Sequence, residues 1–149
     1  MTNNNTDNTT FTTSCAATWV AASGYPGGKL YIAMGDNTTG YALNTSYDNG
    51  SSFTTVLGPH GESGAGSHMA ITTDPETLNA IVAFNKAGKV FVDRYDNVTS
   101  TWEMLIDGST AIAAAADTVS ITTSGNDNII LATQNVTGDN STVVVFYDN

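Results

Sequence analysis

A threefold internal repeat is the feature that most constrains the fold of this chain. The tripeptide Tyr-Asp-Asn recurs at intervals of 48 and 52 residues, and its three copies occupy residues 47–49, 95–97 and 147–149. Each copy follows the same order of segments: a short polar stretch, an apolar run and an alternating stretch. The apolar runs share one alanine, which lies at Ala33, Ala83 and Ala132. Self-similarity at this period predicts a repeat architecture.

Each repeat predicts four short β-strands. The chain is rich in Thr, Asn and Gly and poor in Leu, a composition that disfavours helices and favours strands and turns. In the first two units the tripeptide leads into a fourth strand, Phe53–Leu57 and Trp102–Ile106. The third unit stops at Asn149, but residues 7–14 match the stretch that begins at Asp48, with one position deleted. We therefore expect the N-terminal segment to supply the missing strand.

Four-stranded units of this length are typical of the blades of a β-propeller. We predict one domain of three blades, at about 15–57, 58–106 and 107–149, with residues 7–14 as the closing strand. A β-sandwich is the alternative fold, but a sandwich does not require three matching copies. Because propellers typically have about four to eight blades, we predict a homodimer that forms a six-bladed ring by twofold symmetry. The closing strand completes the third blade of its own chain or that of the partner, and the sequence does not decide between the two.

The segment Ser46-Tyr47-Asp48-Asn49-Gly50-Ser51-Ser52-Phe53 resembles an Asp-box, the turn motif of sialidase-type propeller blades. The resemblance implies a structural turn in which Asp48 accepts backbone N–H groups, Gly50 adopts a positive φ and Phe53 packs onto the sheet. Asp96 and Asp148 occupy the corresponding positions of the other two copies. Sialidases bind their substrate carboxylate with three arginines, whereas this chain has only Arg94. We therefore expect no sialidase activity.

The layout of the three units also resembles that of small fucose-binding lectins of bacteria and fungi, which are six-bladed propellers. That resemblance implies a non-catalytic carbohydrate-binding function. The sugar-binding Arg and Glu of those lectins are not matched, because the corresponding positions hold Ala33, Ile81 and Thr133, then Asn44, Val92 and Val144. The aromatic positions that clamp the sugar are matched in part, by Phe11, Phe53 and Trp102. Packing between blades is the alternative role of these three side chains.

Candidate ligand-binding residues lie near the predicted turns and links. The aromatic candidates for stacking on a sugar are Trp19, Tyr25, Tyr41 and Trp102. The link between the first two units adds the two histidines of the chain, His60 and His68. Their spacing matches no zinc signature, and we predict no metal and no cofactor. Calcium bound by Asp36-Asn37 or Asp139-Asn140 is the alternative that the residue types allow.

Charge and composition exclude several classes of function. Four basic residues face fourteen acidic ones, which gives a net charge of −10 and argues against nucleic acid as a partner. The same scarcity of basic residues argues against a polybasic contact with a membrane. No signal peptide or apolar span is visible, and we make no prediction of localisation. No catalytic constellation stands out, so we predict a non-enzymatic protein, with a structural or interaction module lacking a small ligand as the alternative function.

Overall fold

The computed structural model describes residues 19–25, 29–36, 40–48, 50–58, 68–86, 89–108, 118–124, 128–135 and 140–147. Eleven β-strands account for the regular structure of these residues, and none of these residues is helical. The strands form three antiparallel sheets. The prediction of an all-β chain is therefore confirmed.

The first sheet contains the strands of the first repeat in sequence order. Its strands are β1 (Trp19–Tyr25), β2 (Lys29–Asp36), β3 (Gly40–Ser46) and β4 (Thr54–Leu57). The connection from β3 to β4 is the turn that contains Asp48, and Gly50 within it has a φ of 85°. This left-handed conformation is accessible to glycine without steric cost.

The second sheet repeats this meander. Its strands are β5 (Met69–Thr73), β6 (Ala80–Lys86), β7 (Lys89–Asp96) and β8 (Thr101–Asp107). Val92 pairs with Ile106 but Asp93 pairs with Met104, so Leu105 is an extra residue and β8 carries a bulge. The extra residue that a bulge introduces changes the facing of side chains along the bulged strand.

The third sheet contains three described strands, β9 (Thr118–Ser124), β10 (Asn128–Asn135) and β11 (Asn140–Tyr147). Strand β10 is in the middle. The predicted closing strand, residues 7–14, lies outside the described residues. Asp148 lies outside them as well.

The three sheets are stacked with the second sheet in the middle. The first strands of the sheets, β1, β5 and β9, are neighbours in space. Hydroxyls link them: Ser23 Oγ lies 2.8 Å from Thr73 Oγ1, and Thr123 Oγ1 donates to the carbonyl oxygen of Thr73 over 3.3 Å. Each link joins residues that are 50 positions apart. Equivalent residues of successive repeats therefore lie side by side in neighbouring sheets.

Alternation along the second strands gives each sheet two faces. We call the face toward the next sheet in chain order the front face and the opposite one the back face. In the third sheet, the front face is the one that points away from the second sheet. On β6, Ala80, Val82 and Phe84 pack against the first sheet, whereas Ile81 and Ala83 pack against the third. A strand that is buried on both faces has a continuous apolar sequence, which explains the run from Ala80 to Phe84.

The two boundaries between sheets have different cores. The first boundary, between the first and second sheets, is rich in aromatic residues, and its buried members are Tyr31, Ala33, Tyr41, Leu43, Ala80, Val82, Phe84 and Tyr95. The second boundary, between the second and third sheets, is aliphatic throughout, and its buried members are Ile81, Ala83, Val90, Val92, Ile106, Ile121, Ile129 and Leu131.

Candidate functional site

Two of the aromatic residues selected from the sequence meet inside the first boundary. Tyr41 on β3 is only 3% exposed, and its ring lies edge-on to Trp102 of β8 at a centroid distance of 5.6 Å. Phe84 lies 4.9 Å from the Tyr41 ring and Tyr95 lies 5.1 Å from the Trp102 ring. These rings fill the space between the two sheets and orient one another by edge and face contacts.

A carboxylate is buried next to these rings. Asp93 on β7 is 0% exposed, and its Oδ2 accepts a hydrogen bond of 2.5 Å from the phenol of Tyr41. Burial raises the pKa of Tyr41 well above its ordinary value, and the negative charge of Asp93 raises it further. The phenol therefore keeps its proton at neutral pH and acts as a fixed donor to the carboxylate.

Two buried donors of the first two sheets have no hydrogen-bond acceptor among the described residues. They are Nε1 of Trp102 and Nδ2 of Asn44. The Oδ1 atom of Asn44 is satisfied, because it accepts a hydrogen bond of 2.6 Å from the hydroxyl of Thr55. An unsatisfied buried donor costs free energy unless an acceptor reaches it.

The edge of the first boundary carries a mixed aromatic and polar group, which we call the Tyr47 cluster: Lys29, Tyr47 and Asn97. Tyr47 is 48% exposed. The ammonium of Lys29 lies 5.2 Å from the centre of its ring and donates to Oδ1 of Asn97. Because Lys29 and Tyr47 belong to the first repeat and Asn97 to the second, the cluster exists only where the two sheets meet.

Hydrogen bonds behind the cluster fix its position. Nδ2 of Asn97 donates to the carbonyl oxygen of Thr77 over 2.7 Å and to Oδ1 of Asn79 over 2.9 Å. The phenol of Tyr31 donates to the carbonyl oxygen of Leu78 over 2.6 Å, and burial raises the pKa of Tyr31. The loop between β5 and β6 is thus tied both to β2 and to the turn after β7.

The first Tyr-Asp-Asn turn is held by its own side chains. Oδ1 of Asp48 accepts the backbone N–H of Ser52 at 2.9 Å, Oδ2 accepts the Ser52 hydroxyl at 2.6 Å, and the Ser46 hydroxyl also donates to Oδ1 at 2.8 Å. These hydrogen bonds lower the pKa of Asp48 to about 2. The side chain and the backbone of Ser52 have the largest effects, followed by Ser46. The carboxylate is therefore ionised throughout the physiological range and acts as a turn-forming acceptor.

The second turn achieves a similar result with fewer side chains. Oδ1 of Asp96 accepts the backbone N–H groups of Val98 at 2.7 Å and Thr99 at 2.9 Å. These two hydrogen bonds lower the pKa of Asp96, and the bond from Thr99 has the larger effect. Phe53 follows the first turn, and its ring lies 3.7 Å from the position that a side chain on Gly50 would occupy.

The structure does not bring the remaining selected residues together within the part of the chain that it describes. Trp19 begins β1 opposite Gly35, and Tyr25 ends β1 opposite Lys29. His68 is exposed just before β5, and its backbone N–H donates to Oδ1 of Asn85 over 3.0 Å. His60 lies outside the described residues. The structure thus brings Tyr41 and Trp102 together but places Trp19, Tyr25 and His68 elsewhere.

Lys29, Tyr47, Asn97 and Asp93 were not selected from the sequence as binding residues. Tyr47 and Asn97 belong to the repeated tripeptide, which predicts a turn and gives no indication of a surface cluster. Lys29 is one of only four basic residues in the chain, a scarcity that marks it as unusual. Asp93 is the only charged residue among those that are fully buried in the described part of the chain.

No metal centre or membrane-spanning helix is found in the part of the chain that the structure describes. Within those residues, no three His, Cys, Asp or Glu side chains lie close enough together to hold a metal ion. The same residues contain no helix of the length and apolarity needed to cross a bilayer.

Comparisons with models of known protein families, with curated proteins and with solved structures find no match to this chain.

Proposed function

We propose that this chain is a non-catalytic, lectin-like β-propeller unit that binds carbohydrate. In this proposal each described sheet is one blade, and residues 7–14 complete the third. The support is the stacking of the sheets through their faces, with their first strands side by side. Two copies of the chain then form a six-bladed ring, within the usual size range of propellers.

The carbohydrate proposal depends mainly on the Tyr47 cluster. Sugars present apolar C–H faces together with hydroxyls, so their binding sites combine an aromatic surface with a few positioned polar groups. Tyr47 offers a half-exposed ring, Lys29 an ammonium donor and Asn97 a carboxamide. The bonds from Asn97 to Thr77 and Asn79 hold this group in place before a ligand arrives, which lowers the entropic cost of binding.

The absence of catalysis is part of the proposal. Arg94, the single arginine of the chain, is engaged by Glu103 on the neighbouring strand. Asp93 is bound by the protonated phenol of Tyr41 inside the core, where a substrate has no access. Neither group is placed to bind or activate a substrate, and the binding site that we propose uses no metal or cofactor.

The test is a glycan array followed by calorimetric titration of the best ligand. We expect Tyr47→Ala to weaken that ligand at least tenfold, because it removes the stacking surface. Val98→Ala is the matched control: Val98 is 84% exposed in the turn after Asn97, and its truncation leaves affinity unchanged. An array that stays blank at high protein concentration would refute the carbohydrate proposal.

A structural or interaction module without a small ligand is the second candidate. It is favoured by the bond from Lys29 to Asn97, because groups that satisfy each other across a boundary also serve as a mechanical tie. Under this alternative, Tyr47→Ala and Lys29→Met lower the melting temperature and no glycan is bound. Measuring stability and glycan binding on the same variants separates the two functions.

A further inference from the structure

Two sheet faces at the ends of the stack have no described partner. The front face of the third sheet presents Ile130 and Ala132, which are partly exposed. The back face of the first sheet presents Ala22, Leu30 and Ile32, which are also partly or fully exposed, whereas Met34, Ala42 and Asn44 farther across the same face are buried. A hollow of about 240 Å³ lies there, and its lining is mostly apolar.

The repeat shows what these positions do inside the stack. On the second sheet the front-face residues Ile81 and Ala83 are buried against the third sheet. The shared alanine aligns them with Ile130 and Ala132 of the third sheet. The same residue positions are therefore buried where a following sheet is present and partly exposed where none is described.

The back faces show the same relation. Val82 and Phe84 of the second sheet are buried against the first sheet, and Leu131 of the third is buried against the second. Ile32 of the first sheet is the residue of the first repeat that aligns with Val82 and Leu131, and it is partly exposed. Both internal boundaries join a front face to a back face, so the exposed parts of the two end faces correspond to the two sides of such a boundary.

We propose that the front face of the third sheet packs head-to-tail on the back face of the first sheet of a second copy. The proposal rests on the ring described above and names the surfaces that close it. Twofold symmetry forms this contact twice, and each contact continues the order of the two internal boundaries. The apolar hollow beside Leu30 and Ile32 receives the residues around Ile130.

The two faces carry almost no charge, so a contact between two copies adds no local repulsion. The chain has a net charge of −10, so two copies repel each other unless the contact surfaces are close to neutral. The register of β10 against β11 places Val143 opposite Ala132 and Val145 opposite Ile130. The strands β9, β10 and β11 contain no charged residue. On β1 and β2, the register positions of the opposing back face hold a single charged residue, Asp36 at the end of β2.

Cysteine cross-linking tests the pairing of the two faces. In a Cys15→Ser background we would prepare Ile32→Cys, Ile130→Cys and the double variant. A bismaleimide with a reach of roughly 10 Å, the spacing of packed sheets, is then added at low protein concentration. Head-to-tail packing predicts a covalent dimer from the double variant, no dimer from either single variant, and a dimer again when the two single variants are unfolded and refolded together.

Each other outcome contradicts the proposal. Dimers from one single variant alone would indicate a face-to-face contact. A monomeric double variant whose new thiol at position 32 resists maleimide would assign that face to residues 1–18 of the same chain. Val98→Cys, on an exposed turn, is the control for collisional cross-linking.

Ile130→Glu gives a second readout of the same contact, and we expect it to release folded monomers. A variant that stays dimeric would place the contact elsewhere. Glycan binding is measured separately, so a cross-linked ring without glycan affinity would refute only the carbohydrate proposal.

Discussion

The two boundaries between sheets bring equivalent strands of successive repeats together but differ in chemistry. The first packs Tyr31, Tyr41, Phe84 and Tyr95 together and contains the buried Asp93 near them. The second is formed only by alanine, valine, isoleucine and leucine. The repeat therefore sets which positions face a neighbouring sheet, whereas the residue types at those positions decide whether the boundary also carries polar groups.

The difference has a physical consequence for each boundary. Aliphatic packing is non-directional and is roughly proportional to the apolar area that is buried. Phenol–carboxylate hydrogen bonds and ring contacts are directional, so they fix how the first and second sheets are aligned. The first boundary is therefore the more precisely positioned one, and the Tyr47 cluster lies at its edge.

Truncating one buried leucine at each boundary tests this difference with the largest expected effect. Leu43 and Leu131 are both fully buried, the first among aromatic rings and the second among aliphatic side chains. We expect each leucine-to-alanine change to cost about 2–5 kcal/mol in the free energy of unfolding. Leu43→Ala is the costlier variant, because rigid rings refill a cavity less well than aliphatic side chains. Chemical denaturation measures both values, and the reverse order would contradict the comparison.

Removing one phenol oxygen tests the directional part of the first boundary. Tyr41→Phe keeps the ring but deprives Asp93 of its donor, and we expect a loss of about 1.5–3 kcal/mol, as for hydrogen bonds to charged groups. Tyr25→Phe, at the partly exposed end of β1, is the matched control, and its effect stays within about 0.5 kcal/mol. Equal effects of the two substitutions would show that the buried bond contributes nothing to stability.

Alkaline pH tests the first boundary through its buried phenols, which the second boundary lacks. Burial raises the pKa values of Tyr31 and Tyr41, so above a pH of about 10 the unfolded chain releases protons that the folded chain retains. The stability that these phenols contribute is therefore complete below that pH and is lost as pH rises. Denaturation midpoints measured from about pH 8 to 11 should fall, and should fall less steeply in the Tyr31→Phe/Tyr41→Phe variant. Parallel pH profiles for the two proteins would refute this account.

The turn beside Tyr47 gives the smallest expected effect. The pKa of Asp48 is lowered to about 2, so its contribution is present above the ordinary pKa of about 3.9 and disappears as pH falls toward 2. We expect Asp48→Asn to lower the melting temperature by about 2–4 °C at neutral pH, and the difference from the wild type to vanish near pH 2. A difference that persists unchanged in acid would mean that the charge of Asp48 is irrelevant to the turn.

Features that depend on nearby residues were predictable from the sequence. Alternation and the shared alanines at 33, 83 and 132 indicated strands that the structure contains, and the all-β class followed from them. The turn at Asp48 is equally local, because its partners Ser46 and Ser52 lie within four positions of it. Short-range geometry of this kind is set by the backbone and by residue type.

Features that depend on the stacking of sheets were not predictable. Lys29 and Asn97 are 68 positions apart in the chain, and no sequence pattern indicates that they meet. Alternation placed Phe91, Asp93 and Tyr95 on one face of β7, but β7 has buried residues on both faces. The sequence therefore did not show that Asp93 would be the buried carboxylate and Tyr41 its donor.

Native mass spectrometry tests the ring most directly. One chain has a mass of 15.5 kDa, and the proposed contact of its two end faces with a second copy predicts a stable species of twice that mass at micromolar concentration. Ile130→Glu should convert this species into folded monomer. A wild-type chain that remains a stable, folded 15.5 kDa monomer under the same conditions would contradict the six-bladed ring.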